Sequence, residues 1–72
     1  MLPIISGRQC IDALLGVGYH ELRQKGSHVR LACEGRNPVT VPLHSSLDRG
    51  TLRSILRTAE LTAEEFIALR AR

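Results

Sequence analysis

Tryptophan is absent from this chain, Tyr19 and Phe66 are its only other aromatic residues, and Lys25 is its single lysine. Proteins that hold unpaired bases by stacking need several exposed rings, so this scarcity nearly excludes that mode of RNA binding. Contacts to RNA would fall mainly on the backbone. No apolar run approaches the length of a membrane span, and the N-terminus lacks the basic and apolar regions of a secretory signal. The expected compartment is the cytoplasm, with no membrane partner. Cysteine is sparse: Cys10 and Cys33 allow at most one disulfide, and both fall on apolar stripes, as small reduced core residues do. The histidines His20, His28 and His44 show no pairing at the short spacing of zinc ligands. No metal and no other cofactor is expected.

What is present is a chain of 72 residues, read as a single domain over 1–72, with 43% apolar residues and a formal net charge of +3. Nine of the ten basic residues are arginine, whose planar guanidinium suits phosphate. So short a chain buries a limited fraction of its surface, and a permanent partner would help to stabilise it.

Ser6-Gly7-Arg8-Gln9 matches a capping box that opens a helix running to about Leu15, with Cys10, Ile11, Leu14 and Leu15 on one face. Gly16 and Gly18 supply residues able to take the left-handed conformation that ends it. A short strand over 19–25 follows, then Gly26-Ser27 as a two-residue hairpin turn with glycine first. The second strand, from His28 to about Glu34, alternates Val29, Leu31 and Cys33 with His28, Arg30 and Ala32. Residues 35–38 read as loop, and a third strand alternates Val39, Val41 and Leu43 with Thr40, Pro42 and His44. Pro42 makes that strand an edge. Asp48 starts a helix over roughly 49–59 with Leu52, Ile55, Leu56 and Ala59 as its apolar stripe. Thr62-Ala63-Glu64-Glu65 is a second capping box, flanked by Leu61 and Phe66 as a hydrophobic staple, for a short helix to about Leu69.

The order α-β-β-β-α-α predicts an α+β fold: a two-layer sandwich of a three-stranded antiparallel sheet with helices on one face. The other face is left open. Pairing Cys33 with Val39, Leu31 with Val41 and Val29 with Leu43 keeps the apolar residues inside and sets His28 opposite His44, with Cβ atoms ~5 Å apart. Across the first hairpin Lys25 faces His28 and Arg23 faces Arg30, pairs that repel unless an anion joins them. The same register turns His20 inward, opposite Cys33, as a core or boundary histidine. Arg49, Arg53 and Arg57 recur at i, i+4 and i+8, forming either a solvated helix face or a track for phosphate or an acidic partner. Carboxylates are scarce on the open face, which argues against a two-metal nuclease, and no glycine-rich nucleotide loop is present.

The segments Arg23-Gln24-Lys25-Gly26-Ser27-His28, Val41-Pro42-Leu43-His44 and Gly50-Thr51-Leu52-Arg53-Ser54-Ile55-Leu56 occur in the order and at the spacing of one family. The chain resembles the HicA family of toxins over nearly its whole length. The resemblance implies a fold like that of a double-stranded-RNA-binding domain, a metal-independent mRNA endonuclease, and a cognate HicB-like antitoxin covering the active site. It also implies that the histidine of the Gly-Ser-His turn, here His28, is catalytic. Gly26 matches the family's glycine; His44 matches its Pro-x-His position, with no catalytic role carried over. One departure is the use of arginine where the family is often rich in lysine.

Residues and resemblance together predict His28 as general acid or base, and Gly26, Ser27, Lys25, Arg23, Arg30 and His44 as the substrate-binding surround. Lys25 and Arg30 would stabilise charge on the reacting phosphate, Arg23 would anchor a neighbouring one, and His44 would be a candidate second proton-transfer group. The alternatives are a non-catalytic module that binds double-stranded RNA by shape, and a small adaptor docking proteins through its arginine stripe.

Overall fold

The computed structural model describes residues 2–71. Its elements are α1 (Gly7–Leu15), β1 (His20–Lys25), β2 (His28–Cys33), β3 (Arg36–Pro42), α2 (Arg49–Ala59) and α3 (Ala63–Arg70). The three strands form one antiparallel sheet in the order β1-β2-β3. The predicted α+β architecture is present, with the fold of a double-stranded-RNA-binding domain.

Local chemistry explains the helix ends. Ser6 and Gln9 form the reciprocal capping box at α1, and Thr62 and Glu65 form the one at α3. Asp48 caps α2 by accepting from the backbone N–H of Thr51 at 2.8 Å. At the far end of α1 the Gly18 N–H reaches Leu15 and the Tyr19 N–H reaches Leu14, a Schellman closure that needs the positive φ of Gly18 (119°). The same closure ends α2, but there the left-handed residue is Glu60 (φ 60°). A side chain in that region is strained by ~1 kcal/mol or more. Arg36 offsets that cost: its Nη1 donates to the carbonyls of Ala59 (2.7 Å) and Glu60 (3.4 Å), bringing a cation to the negative end of the helix.

One hydrophobic cluster joins Ile11 and Leu14 of α1, Val29 and Leu31 of β2, Val39 and Val41 of β3, Leu52 and Leu56 of α2, and Phe66 of α3. Cys10 is fully buried within it, Cys33 packs against its margin, and both thiols are free. Helices α1 and α2 pack on β3, the edge strand that Pro42 predicted, α3 packs on those two helices, and every residue of β1 is exposed. The first hairpin therefore projects from the helical layer.

Two predicted registers are not the observed ones. Between β2 and β3, Val29 faces Val41, Leu31 faces Val39 and His28 faces Pro42, a shift of two residues from the expected pairing. Residues 36–38 belong to the strand, because the chain reverses in a tight turn at Glu34-Gly35, where Gly35 takes φ 82°, and Cys33 pairs directly with Arg36. Between β1 and β2 a bulge at Leu22 shifts the ladder, so His20 faces Ala32 and is exposed rather than inward opposite Cys33.

Candidate nucleic-acid interface

The Gly26-Ser27 turn carries the site. Gly26 takes φ 58° and Ser27 does not share the positive value, the pattern of a two-residue turn with glycine at its first central position. A Cβ at Gly26 would meet nothing within 4 Å, so conformation rather than crowding calls for glycine, and the backbone there is open to approach. The turn is held from both sides. Gln24 Nε2 donates to the Gly26 carbonyl at 3.0 Å, and the Leu43 N–H donates to the Ser27 carbonyl at 2.6 Å, just beyond the end of β3.

His28 begins β2 immediately after this turn and is exposed, with Lys25 directly across the ladder. Arg23 faces Arg30 in the next pair on the same side. Among the described residues, the imidazole, the Lys25 ammonium and the Arg23 guanidinium make no hydrogen bond or ion pair. Like charges set opposite one another on a sheet are unfavourable without an anion between them. The expected convergence of His28, Lys25, Arg23 and Arg30 beside Gly26 and Ser27 is thus present in the backbone register.

His44 does not stand opposite His28 as the expected register had it. Pro42 occupies the place opposite His28, and His44 lies beyond the strand, where its carbonyl accepts from the Gly7 N–H at 2.9 Å. Its main chain anchors α1 while its side chain remains exposed. Arg30 also departs from expectation. Its Nη1 donates to Thr40 Oγ1 at 2.9 Å, drawing the half-buried guanidinium toward β3 and into a cleft of about 200 Å³ shared with Ser54 and Thr58 of α2. Thr40, Ser54 and Thr58 were not legible as site residues, because a polar strand position and an i, i+4 hydroxyl pair on a helix carry no distinctive signal.

The arginine stripe turns elsewhere. Arg53 and Arg57 border a cleft with Leu2, Leu56 and Leu61, on a different side of α2 from Ser54 and Thr58. A larger, mainly apolar cleft of about 580 Å³ lies between Leu2, Ile4, Ile67 and Arg70, and none of the hairpin cations lines it. Among the described residues no group of three or more His, Cys, Asp or Glu side chains is placed to hold a metal ion. Among the described residues no helix is long and apolar enough to cross a membrane.

Residues 7–61 match the family described as HicA toxin of bacterial toxin-antitoxin systems. The chain belongs to this family. A similar solved structure is a chain from a toxin–antitoxin complex of Streptococcus pneumoniae, 31% identical, with a TM-score of 0.69. The similarity covers 79% of this chain and 98% of that one. No curated protein sequence matches the chain. The family span takes in the whole sheet, α1 and α2, and it includes every residue of the Gly26 turn and the Arg30 cleft.

Proposed function

We propose that this HicA-family chain is a metal-independent endoribonuclease acting on mRNA in the cytoplasm, with His28 as its proton-transfer group. The observation that carries the reading is an exposed imidazole with no hydrogen-bond partner among the described residues, placed beside an approachable glycine turn and across the ladder from Lys25. An imidazole across the ladder from an ammonium suits a phosphodiester, since the cation holds the phosphate and the ring can take or give the proton.

In the proposed reaction the ribose 2′-oxygen attacks phosphorus, the bond to the 5′-oxygen breaks, and the products are a 2′,3′-cyclic phosphate and a 5′-hydroxyl. His28 either takes the 2′-hydroxyl proton or delivers one to the departing 5′-oxygen. Lys25 stabilises charge as it builds on the non-bridging oxygens. Arg23, one pair farther along β1, anchors a neighbouring phosphate, and the Gly26-Ser27 backbone lets the strand come close. His44 is assigned to the scaffold.

The toxin–antitoxin complex to which the similar structure belongs supports an antitoxin partner for this chain as well; in the proposed reading that partner is HicB-like and covers the His28 face. Carboxylates brought over Arg23 and Lys25 would relieve the repulsion that the free toxin carries.

The test is incubation of purified protein with a defined RNA in EDTA. Wild type cleaves, His28→Ala is slower by about 10²–10⁴-fold with its circular dichroism unchanged, and a DNA strand of the same sequence stays intact. Equal rates for wild type and His28→Ala remove His28 from the chemistry. A mobility shift without products from wild type identifies the chain as a non-catalytic RNA-binding module instead.

A further inference from the structure

We infer that the cleft between β3 and α2, lined by Arg30, Thr40 and Ser54, is a second phosphate site, holding the phosphodiester adjacent to the one at His28. The inference rests on the reading of RNA as substrate and adds a place for the strand to continue.

Arg30 is half-buried, yet among the described residues its only partner is Thr40 Oγ1. A guanidinium has five N–H donors, and partial desolvation of a cation with no counter-charge is unfavourable unless a ligand supplies one. The surrounding hydroxyls can be sorted by what they still offer. Thr40 Oγ1 accepts from Arg30, so its own hydrogen is left to donate. Thr58 Oγ1 already donates to the Ser54 carbonyl at 2.9 Å, which commits its proton within α2. Ser54 Oγ makes no hydrogen bond to a described residue. The cleft thus presents a guanidinium fork and two hydroxyl donors, and no carboxylate lines it.

That donor set calls for a ligand made only of acceptors, and a phosphodiester matches the fork geometry. At about 200 Å³ the cleft falls below the ~300 Å³ at which pockets begin to enclose whole organic ligands. Arg30 lies two residues from His28 on the same strand and the same face, ~6.6 Å along β2. A strand held at His28 reaches the cleft with its next phosphate. A carboxylate from a protein partner has acceptor chemistry too, but the spacing along β2 favours RNA, whose successive phosphates recur at a fixed interval from the one at His28.

The test uses the His28→Ala protein, so that binding is read without cleavage, and a short RNA in which one linkage at a time is replaced by an uncharged methylphosphonate. One linkage next to the scissile position is expected to cost about tenfold in affinity. On that background Arg30→Gln removes most of the cost at the same linkage, because the guanidinium is the one charged group lining the cleft. Thr40→Val and Ser54→Ala each shrink the effect at that linkage and leave the others unchanged. If the added substitution weakens binding equally for every linkage, or leaves it untouched, the second site is refuted while RNA binding stands. Loss of the Arg30 effect on RNA together with an Arg30-dependent affinity for a glutamate-rich peptide assigns the cleft to a protein partner. No RNA binding at all overturns both this inference and the substrate reading beneath it.

Discussion

The backbone N–H of Gly7 donates to the carbonyl of His44 across 2.9 Å, tying the first turn of α1 to the chain just beyond β3. The approach is so close that a Cβ at Gly7 would run into the Pro42 carbonyl and crowd the Leu43 Cα. Both obstacles are backbone, which cannot swing aside as a side chain would. The same segment donates from Leu43 to Ser27, so the contact at Gly7 helps set the turn that precedes His28.

Gly7→Ala is therefore expected to lower stability by about 1–3 kcal/mol, the range for overpacking a tight site. Urea denaturation of the two proteins measures it. A midpoint unchanged from wild type would show that the strand end moves freely and that Gly7 does not hold it.

The two histidines should separate in activity. His28→Ala is expected to lose most RNA cleavage, whereas His44→Ala, whose exposed imidazole stands away from the position opposite His28, should cut at close to the wild-type rate. Single-turnover cleavage of one RNA by both variants decides it. Comparable losses would restore His44 as the partner in proton transfer.

Acid should weaken the fold through two helix caps. The Thr51 backbone N–H and hydroxyl hold the Asp48 carboxyl below its usual 3.8, and the Thr62 backbone and side chain hold Glu65 below its usual 4.5. Depressed folded values mean that the native state binds fewer protons than the unfolded chain. The contribution is present above those ordinary values and is lost as pH falls through the lower folded ones. Asp48→Asn with Glu65→Gln keeps capping groups but removes the titration, so stability followed by urea midpoint should fall less steeply from about pH 5 downward. Parallel curves for the variant and wild type would mean that the caps do not contribute to acid sensitivity.

The two cysteines should differ in reactivity. Burial pushes the Cys10 thiol up to about 12 and closes it to solvent, whereas Cys33 is half-buried at the sheet margin. Iodoacetamide at neutral pH is expected to label Cys33 in the folded protein and Cys10 only in urea, as read by mass spectrometry. Labelling of Cys10 in the native protein at the rate of Cys33 would show that α1 opens readily.

Much of this molecule is written locally. The capping boxes at Ser6 and Thr62, the Asp48 cap, the Gly26-Ser27 turn and the alternation of Val29 and Leu31 depend on neighbours within a few residues, and each appears where the sequence predicts it. A two-residue turn also dictates the pairing beside it, which is why Lys25 and His28 were correctly set together. The site residues that missed their places are those reached through longer connections. A sheet repeats every two residues, so the apolar pattern of β3 is satisfied equally by registers two residues apart, and the turn at Gly35 together with the irregularity between Leu31 and Cys33 chose the one that puts Pro42 opposite His28. Nor does any local pattern announce the bulge at Leu22, the reach of Arg36 to the end of α2, or the bond from Arg30 to Thr40. The amino-acid sequence by itself determined the elements, the core face and the hairpin bearing His28, because those follow from short-range chemistry and periodicity. The tertiary structure alone decided where His20 and His44 lie and where Arg30 points, because His20 depends on the bulge in the β1–β2 ladder, and His44 and Arg30 on how α1, α2 and β3 meet, none of which a sequence period records.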